Sequence, residues 1–171
     1  MTESAPHQSD QELIASTLTG SDEAYHQLMV RHARPIRQCL RGIVLDPDLA
    51  DDLTLQTFQR AYRYLDRFDR HRPIRPWLYK MSVNLALDRL RRAGRLPPGA
   101  GRLDQALSSL PPLQRAVLAL RTVPQLTYEE CGAILGLPPD SIMEHLGAAR
   151  RELRALLGTP LAPPRAAGAK R

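Results

Sequence analysis

The residues best suited to chemistry lie between positions 59 and 95, where cations alternate with aromatic rings. This segment holds eleven basic and three acidic residues, a net charge of +8, whereas the whole chain of 171 residues carries +6. The basic residues are Arg60, Arg63, Arg67, Arg70, Arg72, Arg75, Lys80, Arg89, Arg91, Arg92 and Arg95, and the rings include Tyr62, Tyr64, Phe68, Trp77 and Tyr79. Cations neutralise phosphates and aromatic faces stack on unpaired bases, so the pattern is typical of a site for single-stranded nucleic acid.

Two simpler interpretations of this segment stay open at the level of sequence. A solvated basic surface would have the same composition. Trp77 is ambiguous too, because a lone tryptophan in a short basic unit more often anchors a core than stacks on a base. Asn84 and Asp88 lie one helical turn apart on one face, where they form a local pair as readily as a binding site.

The acidic residues are concentrated elsewhere in the chain. Residues 1–30 contain five acidic residues and no basic one, and residues 46–52 add Asp46, Asp48, Asp51 and Asp52. This uneven distribution is more informative than the net charge, because many basic proteins bind nothing acidic.

Helices must position these residues, because no segment shows the sustained alternation of a strand. Ser9 and Glu12 form a capping-box pattern at the start of the first helix, and Gly20 is suited to end it. A second helix begins near Ser21. Pro35 interrupts its hydrogen bonding, so we expect one bent helix.

Two further helices are predicted in the first half. Asp46 followed by Pro47 provides an N-cap and a proline at the first helical position, which opens the third helix. A basic loop follows Asp69, and Pro76 is expected to start the fourth helix. Residues 10–92 therefore predict one small helical domain.

The second half predicts a helix-turn-helix. Four helical patterns cover 103–110, 113–123, 127–135 and 139–157. Thr127 and Glu130 form a second capping box, and Gly136 separates two helices by a turn of a few residues. Gly132 has only a hydrogen atom as its side chain, which lets these helices approach closely. A short helical hairpin without a DNA role would show the same pattern.

The predicted fold class is all-α, with two small helical domains joined by a short flexible linker. Residues 93–102, AGRLPPGAGR, have little to bury and form the linker between domains at 10–92 and 103–157. Residues 1–9 are predicted to be a flexible N-terminus. Residues 158–171 are predicted to be a disordered tail, because they cannot build a core.

Composition argues against export and against a membrane span. Hydrophobic residues make up 43% and charged residues 25%, and no apolar run approaches the roughly 20 residues of a spanning helix. The polar, acidic start lacks the basic and apolar regions of a signal peptide, so we predict a cytoplasmic protein. Cys39 and Cys131 sit inside helical patterns and are interpreted as reduced core thiols.

An enzyme is the class furthest from this sequence. The five histidines show no metal-ligand spacing, and no nucleophile motif or glycine-rich phosphate loop occurs. We therefore predict no catalytic residue, no metal site and no cofactor. The histidines are His7, His26, His32, His71 and His145.

Three segments resemble a known family, and together the match spans about residues 10–157. Ala50 to Tyr62 reads ADDLTLQTFQRAY and is similar to the sigma-70 segment that binds the polymerase clamp helices. Arg75 to Arg92 reads RPWLYKMSVNLALDRLRR and is similar to the segment for the downstream promoter element. Leu107 to Pro138 reads LSSLPPLQRAVLALRTVPQLTYEECGAILGLP and resembles the opening of the second DNA-binding domain. With only these two domains, the sequence resembles the extracytoplasmic-function sigma factors.

The resemblance implies roles for three sets of residues. Binding of the polymerase core falls to Asp48, Asp51, Asp52, Gln56 and Phe58. Capture of the melted downstream promoter element falls to Arg72, Arg75, Trp77, Lys80, Asn84, Asp88, Arg89, Arg91 and Arg92. The helix-turn-helix set is Thr127, Glu130, Gly136, Ser141, His145, Arg150 and Arg151.

The implied partners are the core of bacterial RNA polymerase and promoter DNA, with an anti-sigma factor as a further candidate. The implied function is promoter recognition and transcription initiation. A competing hypothesis is a degenerate sigma-like regulator whose second domain binds a protein in place of the upstream promoter element. Met143 and the weak positive charge of that domain motivate this alternative.

Two departures from the family pattern refine these expectations. Leu55 and Gln56 stand where the clamp-binding motif usually has a glutamine followed by an acidic residue. The usual glycine, threonine and basic face of the recognition helix is replaced by Asp140, Ser141, Met143, Glu144, His145, Gly147 and Ala148. Residues 103–157 carry a net charge of −1, which is poor for phosphate binding. We expect a buried stripe of Ile142, Leu146, Ala149 and Leu153 to keep the fold of this helix.

Overall fold

The computed structural model describes residues 8–93 and 102–158, and within these ranges it contains eight α-helices and no strand. The helices are α1 Asp10–Leu18, α2 Asp22–Val44, α3 Pro47–Arg63, α4 Ile74–Ala93, α5 Arg102–Ser109, α6 Pro112–Thr122, α7 Tyr128–Leu135 and α8 Pro139–Leu157. A short 3₁₀ turn, Leu65–Arg67, follows α3. The predicted all-α fold class is confirmed. We call α1–α4 the N-terminal unit and α5–α8 the C-terminal unit.

The predicted flexible segments lie mostly outside the described residues. Of the N-terminus predicted at 1–9, residues 8 and 9 are described. Of the linker predicted at 93–102 and the tail predicted at 158–171, only the residues at positions 93, 102 and 158 are described.

Both capping boxes form as the sequence predicts. The Ser9 hydroxyl accepts from the Glu12 N–H at 3.3 Å, and the Glu12 carboxylate accepts from the Ser9 N–H at 2.6 Å. At the start of α7, Thr127 and Glu130 make the same reciprocal bonds at 3.1 and 2.7 Å. Because each box satisfies N–H groups that have no partner within the helix, it sets the residue at which the helix begins.

The predictions made for Pro35 and Pro76 have different outcomes. Pro35 lies within α2, which is one helix as predicted, and the bend at Pro35 stays a prediction. The prediction that Pro76 starts the fourth helix is wrong, because α4 already begins at Ile74. Pro76 is the third residue of α4, a position whose N–H has no acceptor within the helix, so its missing hydrogen costs no helical bond.

The helix-turn-helix of the C-terminal unit depends on two glycines. Gly136 ends α7 in the left-handed conformation, at φ +71°. A Cβ added at Gly132 would lie 2.5 Å from the Leu137 carbonyl oxygen, so this glycine is required by the close approach of the turn backbone. The buried stripe predicted for α8 is confirmed at all four of its positions, Ile142, Leu146, Ala149 and Leu153.

The two units share one continuous hydrophobic core. Helices α2 and α4 of the N-terminal unit pack against α6 and α7 of the C-terminal unit. One cluster of contacting buried side chains includes residues of both units, from Leu13 in α1 to Leu146 in α8. Cys39 and Cys131, one from each unit, are both fully buried in this core as reduced thiols. No helix within the described residues is long and apolar enough to cross a membrane.

Candidate nucleic-acid and polymerase interface

A cleft of about 500 Å³ lies between the end of α3, the 3₁₀ turn and one face of α4. It is lined by Arg60, Tyr64, Arg67, Trp77, Lys80, Met81, Asn84, Asp88 and Arg91. We call this site the basic–aromatic cleft. Four of its side chains are cations and one is a carboxylate, so the cleft is electropositive.

Trp77 lies between the hydrophobic core and the cleft. Its ring packs against that of Phe68, with the ring centres 5.0 Å apart and the planes at 46°. Phe68 is buried, while Trp77 is half-buried and lines the cleft. The tryptophan is therefore supported from the core side, and its remaining surface lines the cleft.

The cations of the cleft are held in different ways. Arg91 forms an ion pair with Asp88 one turn earlier on α4. The Arg67 guanidinium lies 5.4 Å from the centre of the Tyr64 ring, at cation–π distance. Arg60 and Lys80 approach from different helices and are both exposed. Phosphates can therefore be contacted from both walls of the cleft.

Sequence reasoning found part of this cleft and missed the rest. Five residues of the predicted DNA-binding set line it, namely Trp77, Lys80, Asn84, Asp88 and Arg91. Arg60, Tyr64, Arg67 and Met81 also line it but were not in that set. All four lie within residues 59–95, and three of them are cations or aromatic rings, so the charge and ring content of that segment was the signal that could have found those three.

The other predicted DNA-binding residues lie away from the cleft. Arg89 and Arg92 are exposed on α4. The Arg72 side chain is 80% exposed, with its Nε 3.3 Å from the Asp69 carboxylate. Arg75 donates a hydrogen bond to the carbonyl of Pro124 in the C-terminal unit.

Tyr79 is a core residue despite belonging to the basic–aromatic segment. Only 1% of it is exposed, so its ring cannot stack on a base. Burial, helped by the nearby Cys39, raises the pKa of its hydroxyl to about 12. The ring content of the segment therefore overstates the number of stacking surfaces.

A second, more apolar groove of about 360 Å³ lies between α2 and α3. We call it the α2–α3 groove, and it is lined by Asp22, Tyr25, His26, Met29, Leu55, Phe58, Gln59 and Tyr62. Leu55 and Tyr62 are 55% and 50% exposed. The Tyr25 hydroxyl donates to the Phe58 carbonyl, and its ring meets that of Tyr62 edge to face at 4.8 Å. Burial raises the pKa of Tyr25.

Of the residues predicted to bind polymerase, only Phe58 lines this groove, and the other four are exposed on α3. Asp48, Asp52 and Gln56 are exposed on α3. Asp51 is exposed too and pairs with Arg37 of α2. Phe58 is only 2% exposed, so its ring supports the groove from the core.

The helix-turn-helix residues divide between folding and surface positions. Thr127 and Glu130 cap α7 and Gly136 ends it, so these three define the motif. Ser141, His145 and Arg150 are half-buried, and Arg151 is exposed. The outward face of α8 presents Asp140, Met143 and Glu144.

No cluster of three or more His, Cys, Asp or Glu residues that could hold a metal ion occurs within residues 8–93 and 102–158. Burial raises the pKa of Cys39 to about 12 and that of Cys131 to about 11. Both thiols are therefore protonated at neutral pH and inert.

Comparison with known families matches both units of the chain. A family model described as "Sigma-70 region 2" matches residues 28–96, and one described as "Sigma-70, region 4" matches residues 100–153. The RNA polymerase sigma factor CnrH of Cupriavidus metallidurans is 30% identical over 89% of this chain and 96% of its own length. The chain belongs to the extracytoplasmic-function sigma factors of the sigma-70 family.

Other relatives of this sigma factor agree with the assignment. The ECF RNA polymerase sigma factor SigM of Mycobacterium tuberculosis is 30% identical over 88% of this chain and 85% of its own length. CnrH in complex with the cytosolic domain of CnrY superposes with a TM-score of 0.72, covering 87% of this chain and 97% of that one. The sigma factor RpoE bound to the anti-sigma factor NepR from Bartonella quintana is 22% identical. It shows the same fold, with a TM-score of 0.69 over 80% of this chain and 98% of that one.

The function of this sigma factor follows from its family. It directs RNA polymerase to promoters and takes part in transcription initiation. The competing hypothesis of a degenerate regulator is not favoured. The chain matches the family models of both sigma-70 regions, and its relatives are named as RNA polymerase sigma factors.

Proposed function

We propose that this sigma factor captures the unpaired non-template strand of the promoter in the basic–aromatic cleft. The observation that carries the proposal is the arrangement of four cations around a half-buried tryptophan in one cleft of about 500 Å³. A base that leaves the duplex loses its stacking energy, and an aromatic surface such as Trp77 returns part of it. Arg60 and Lys80 neutralise the adjoining phosphates.

Fluorescence anisotropy with short labelled oligonucleotides tests this proposal. Because the cleft offers rings as well as cations, single-stranded DNA is expected to bind more tightly than duplex of the same length. The affinity should fall with salt, by a logarithmic slope of about 0.7 for each phosphate contacted. Equal affinity for both forms of DNA would mean that no base stacks in the cleft.

The α2–α3 groove and the acidic face of α3 bind the polymerase clamp. The exposed Leu55 shares α3 with the exposed polar residues Asp48, Asp52 and Gln56, and an apolar residue with polar neighbours is the composition of a protein interface. Leu55 stands where the family has a polar residue. Apolar burial therefore replaces a polar contact in this chain.

We expect Leu55→Asp to weaken binding to purified core polymerase by about tenfold, since a carboxylate would be desolvated at the centre of the interface. Biolayer interferometry with immobilised core enzyme measures this loss. Val30→Asp is the matched control, because Val30 is 63% exposed on α2 and does not line the groove. A similar loss in both variants would show that Leu55 has no special place in the contact.

The C-terminal unit contributes little sequence reading of the upstream element. The exposed residues early in α8 are Asp140, Met143 and Glu144, none of which offers a paired donor to guanine, and two are carboxylates that repel phosphates. Arg150 and Arg151 can touch the backbone, which positions a helix without specifying sequence.

Glu144→Lys is therefore expected to strengthen binding of the full chain to duplex DNA, by roughly threefold to tenfold at low salt. The gain should be equal on matched and scrambled duplexes, because the new cation meets phosphates. Strong discrimination between those duplexes by the unmodified protein would show that recognition uses residues outside this face.

An anti-sigma factor completes the set of proposed partners. CnrH was solved with the cytosolic domain of CnrY, and RpoE with the anti-sigma factor NepR. By analogy, this chain is held inactive by a protein partner until a signal arrives. It acts in the cytoplasm with core polymerase and catalyses no reaction of its own.

A further inference from the structure

Lysine is rare in this chain, and one of its two lysines lies in the basic–aromatic cleft. Lys80 and Lys170 are two of the 24 lysine and arginine residues, and all the others are arginine. An arginine guanidinium stays protonated in proteins, whereas a lysine amine can lose its proton and act as a nucleophile. Among residues 8–93 and 102–158, Lys80 is therefore the one side-chain amine that an acyl group can convert into a neutral amide.

The Lys80 ammonium group is accessible and has no protein partner. Its side chain is exposed, and it makes no hydrogen bond or ion pair within the part of the chain that the structure describes. The carboxylate of the cleft, Asp88, is paired with Arg91 and leaves Lys80 without a counter-ion. Lys80 can therefore meet either a phosphate of DNA or a small reagent that enters the cleft.

The cleft is also suited to hold a small phosphorylated reagent beside Lys80. The three guanidinium groups of Arg60, Arg67 and Arg91 line the same cleft of about 500 Å³. Guanidinium groups bind phosphate oxygens through paired hydrogen bonds, and a concentration of positive charge raises the local concentration of anions. An acyl phosphate carries its reactive carbonyl carbon next to a phosphate. The groups that suit a DNA phosphate therefore also suit this class of acyl donor.

We propose that Lys80 is a site of acylation by an acyl phosphate, and that this modification weakens capture of the promoter strand. In the reaction, the unprotonated Nζ attacks the carbonyl carbon and forms an amide bond. The bond between that carbon and the phosphate oxygen breaks, and inorganic phosphate leaves with the electron pair. The proton lost by the attacking nitrogen passes to solvent. This proposal rests on the proposed function, because it concerns regulation of the same strand site.

Acylation is expected to weaken strand binding without abolishing it. The neutral amide removes one cation from the cleft, and the three guanidinium groups remain. Loss of one phosphate contact should lower the logarithmic salt slope for single-stranded DNA by about 0.7, which corresponds to roughly fivefold weaker binding at about 0.1 M salt. Lys80 would thus adjust the affinity of the site while its arginines keep it functional.

Acetyl phosphate and the full chain test whether the cleft recruits the donor. Mass spectrometry of peptides from timed samples gives the rate of acetylation at Lys80. We expect Arg60→Gln to slow this rate several-fold, because the donor loses a guanidinium partner in the cleft. Arg34→Gln is the matched control, since Arg34 is exposed on α2 outside the cleft. Absence of acetylation at Lys80, or equal rates in both variants, would overturn the proposed recruitment.

A protein with acetyl-lysine incorporated at position 80 during translation tests the effect on DNA. Fluorescence anisotropy should show roughly fivefold weaker binding of a single-stranded oligonucleotide than the unmodified chain shows at about 0.1 M salt. Treatment with acetyl phosphate should produce a similar loss in Lys170→Arg. Lys80→Arg, compared with its own untreated sample, should lose little affinity because its side chain cannot be acylated. An equal loss in both variants after treatment would overturn the role of Lys80.

The outcomes separate this proposal from the proposed strand site. If the unmodified chain prefers single-stranded DNA and the acetyl-lysine protein binds it equally well, only the regulatory role of Lys80 is overturned. If the unmodified chain shows no preference for single-stranded DNA over duplex, the strand site itself is overturned. A bound oligonucleotide should also protect Lys80 from acetyl phosphate. Rapid acetylation of Lys80 in the saturated complex would show that this side chain does not contact the strand.

Discussion

A sigma factor with Arg60→Glu and Lys80→Glu should form at least about 100-fold fewer open complexes with core polymerase than the unmodified protein. These side chains approach the basic–aromatic cleft from α3 and α4, so the double change places carboxylates on both walls. Each reversal replaces an attraction to phosphate by a repulsion. A loss of about 1.4 kcal/mol for each gives a hundredfold effect.

Open complexes are measured by the reactivity of unpaired thymines on a promoter that the unmodified holoenzyme opens. The matched control is Arg34→Glu with Arg41→Glu, which makes the same change in charge at exposed positions of α2 outside the cleft. The salt dependence of single-strand binding should also become shallower, by about 1.4 in logarithmic slope, if two phosphate contacts are lost. Normal opening by the folded cleft variant would place strand capture elsewhere.

Gly132→Ala should lower the free energy of unfolding by about 2 to 3 kcal/mol, although it adds only a methyl group. The new Cβ would lie 2.5 Å from the Leu137 carbonyl oxygen, so the turn between α7 and α8 must move. That turn is held by the Gly132 carbonyl, which accepts from the N–H groups of Gly136 at 2.8 Å and Leu137 at 3.0 Å. Moving Leu137 therefore disturbs the bonds that end α7.

Urea denaturation followed by circular dichroism measures this loss, and Gly147→Ala is its control. A Cβ at Gly147 meets only the Arg151 guanidinium at 3.4 Å, the far end of a flexible side chain. Since alanine is the better helix former, this variant should gain about 0.5 to 1 kcal/mol. Comparable losses in both variants would contradict the steric explanation for Gly132.

The helices and their ends could be predicted from sequence because the interactions that set them are local. The capping boxes at Ser9 and Thr127 each join residues three positions apart. The buried stripe of α8 repeats at steps of three and four, and Gly136 marks the end of α7. Such patterns can be recognised without knowing which distant residues pack against the helix. The exception, Pro76, arose because proline is tolerated throughout the first helical turn and not only at its first residue.

The candidate site was predictable in part. Charge and ring content located residues 59–95 as the binding segment, but they did not predict which of its rings are exposed. Tyr79 is 1% exposed whereas Trp77 lines the cleft, a difference that depends on which face of α4 meets α2 and α7. Arg60 and Arg67 were missing from the predicted DNA-binding set because they enter the cleft from another element, a proximity that sequence spacing within α4 does not encode.

The all-α class, the helix caps, the inner face of α8 and the segment that carries the positive charge can all be predicted from the amino-acid sequence. The cleft shared by α3 and α4, and the place of Phe58 beneath the α2–α3 groove, become visible only in the folded chain. The same is true of the hydrogen bonds from Arg115 to the Ile43 carbonyl and from Arg75 to the Pro124 carbonyl. The difference lies in the range of the interactions. Helix propensity and capping act over three or four residues, whereas docking depends on the fit of surfaces from residues up to 72 positions apart, as between Ile43 and Arg115.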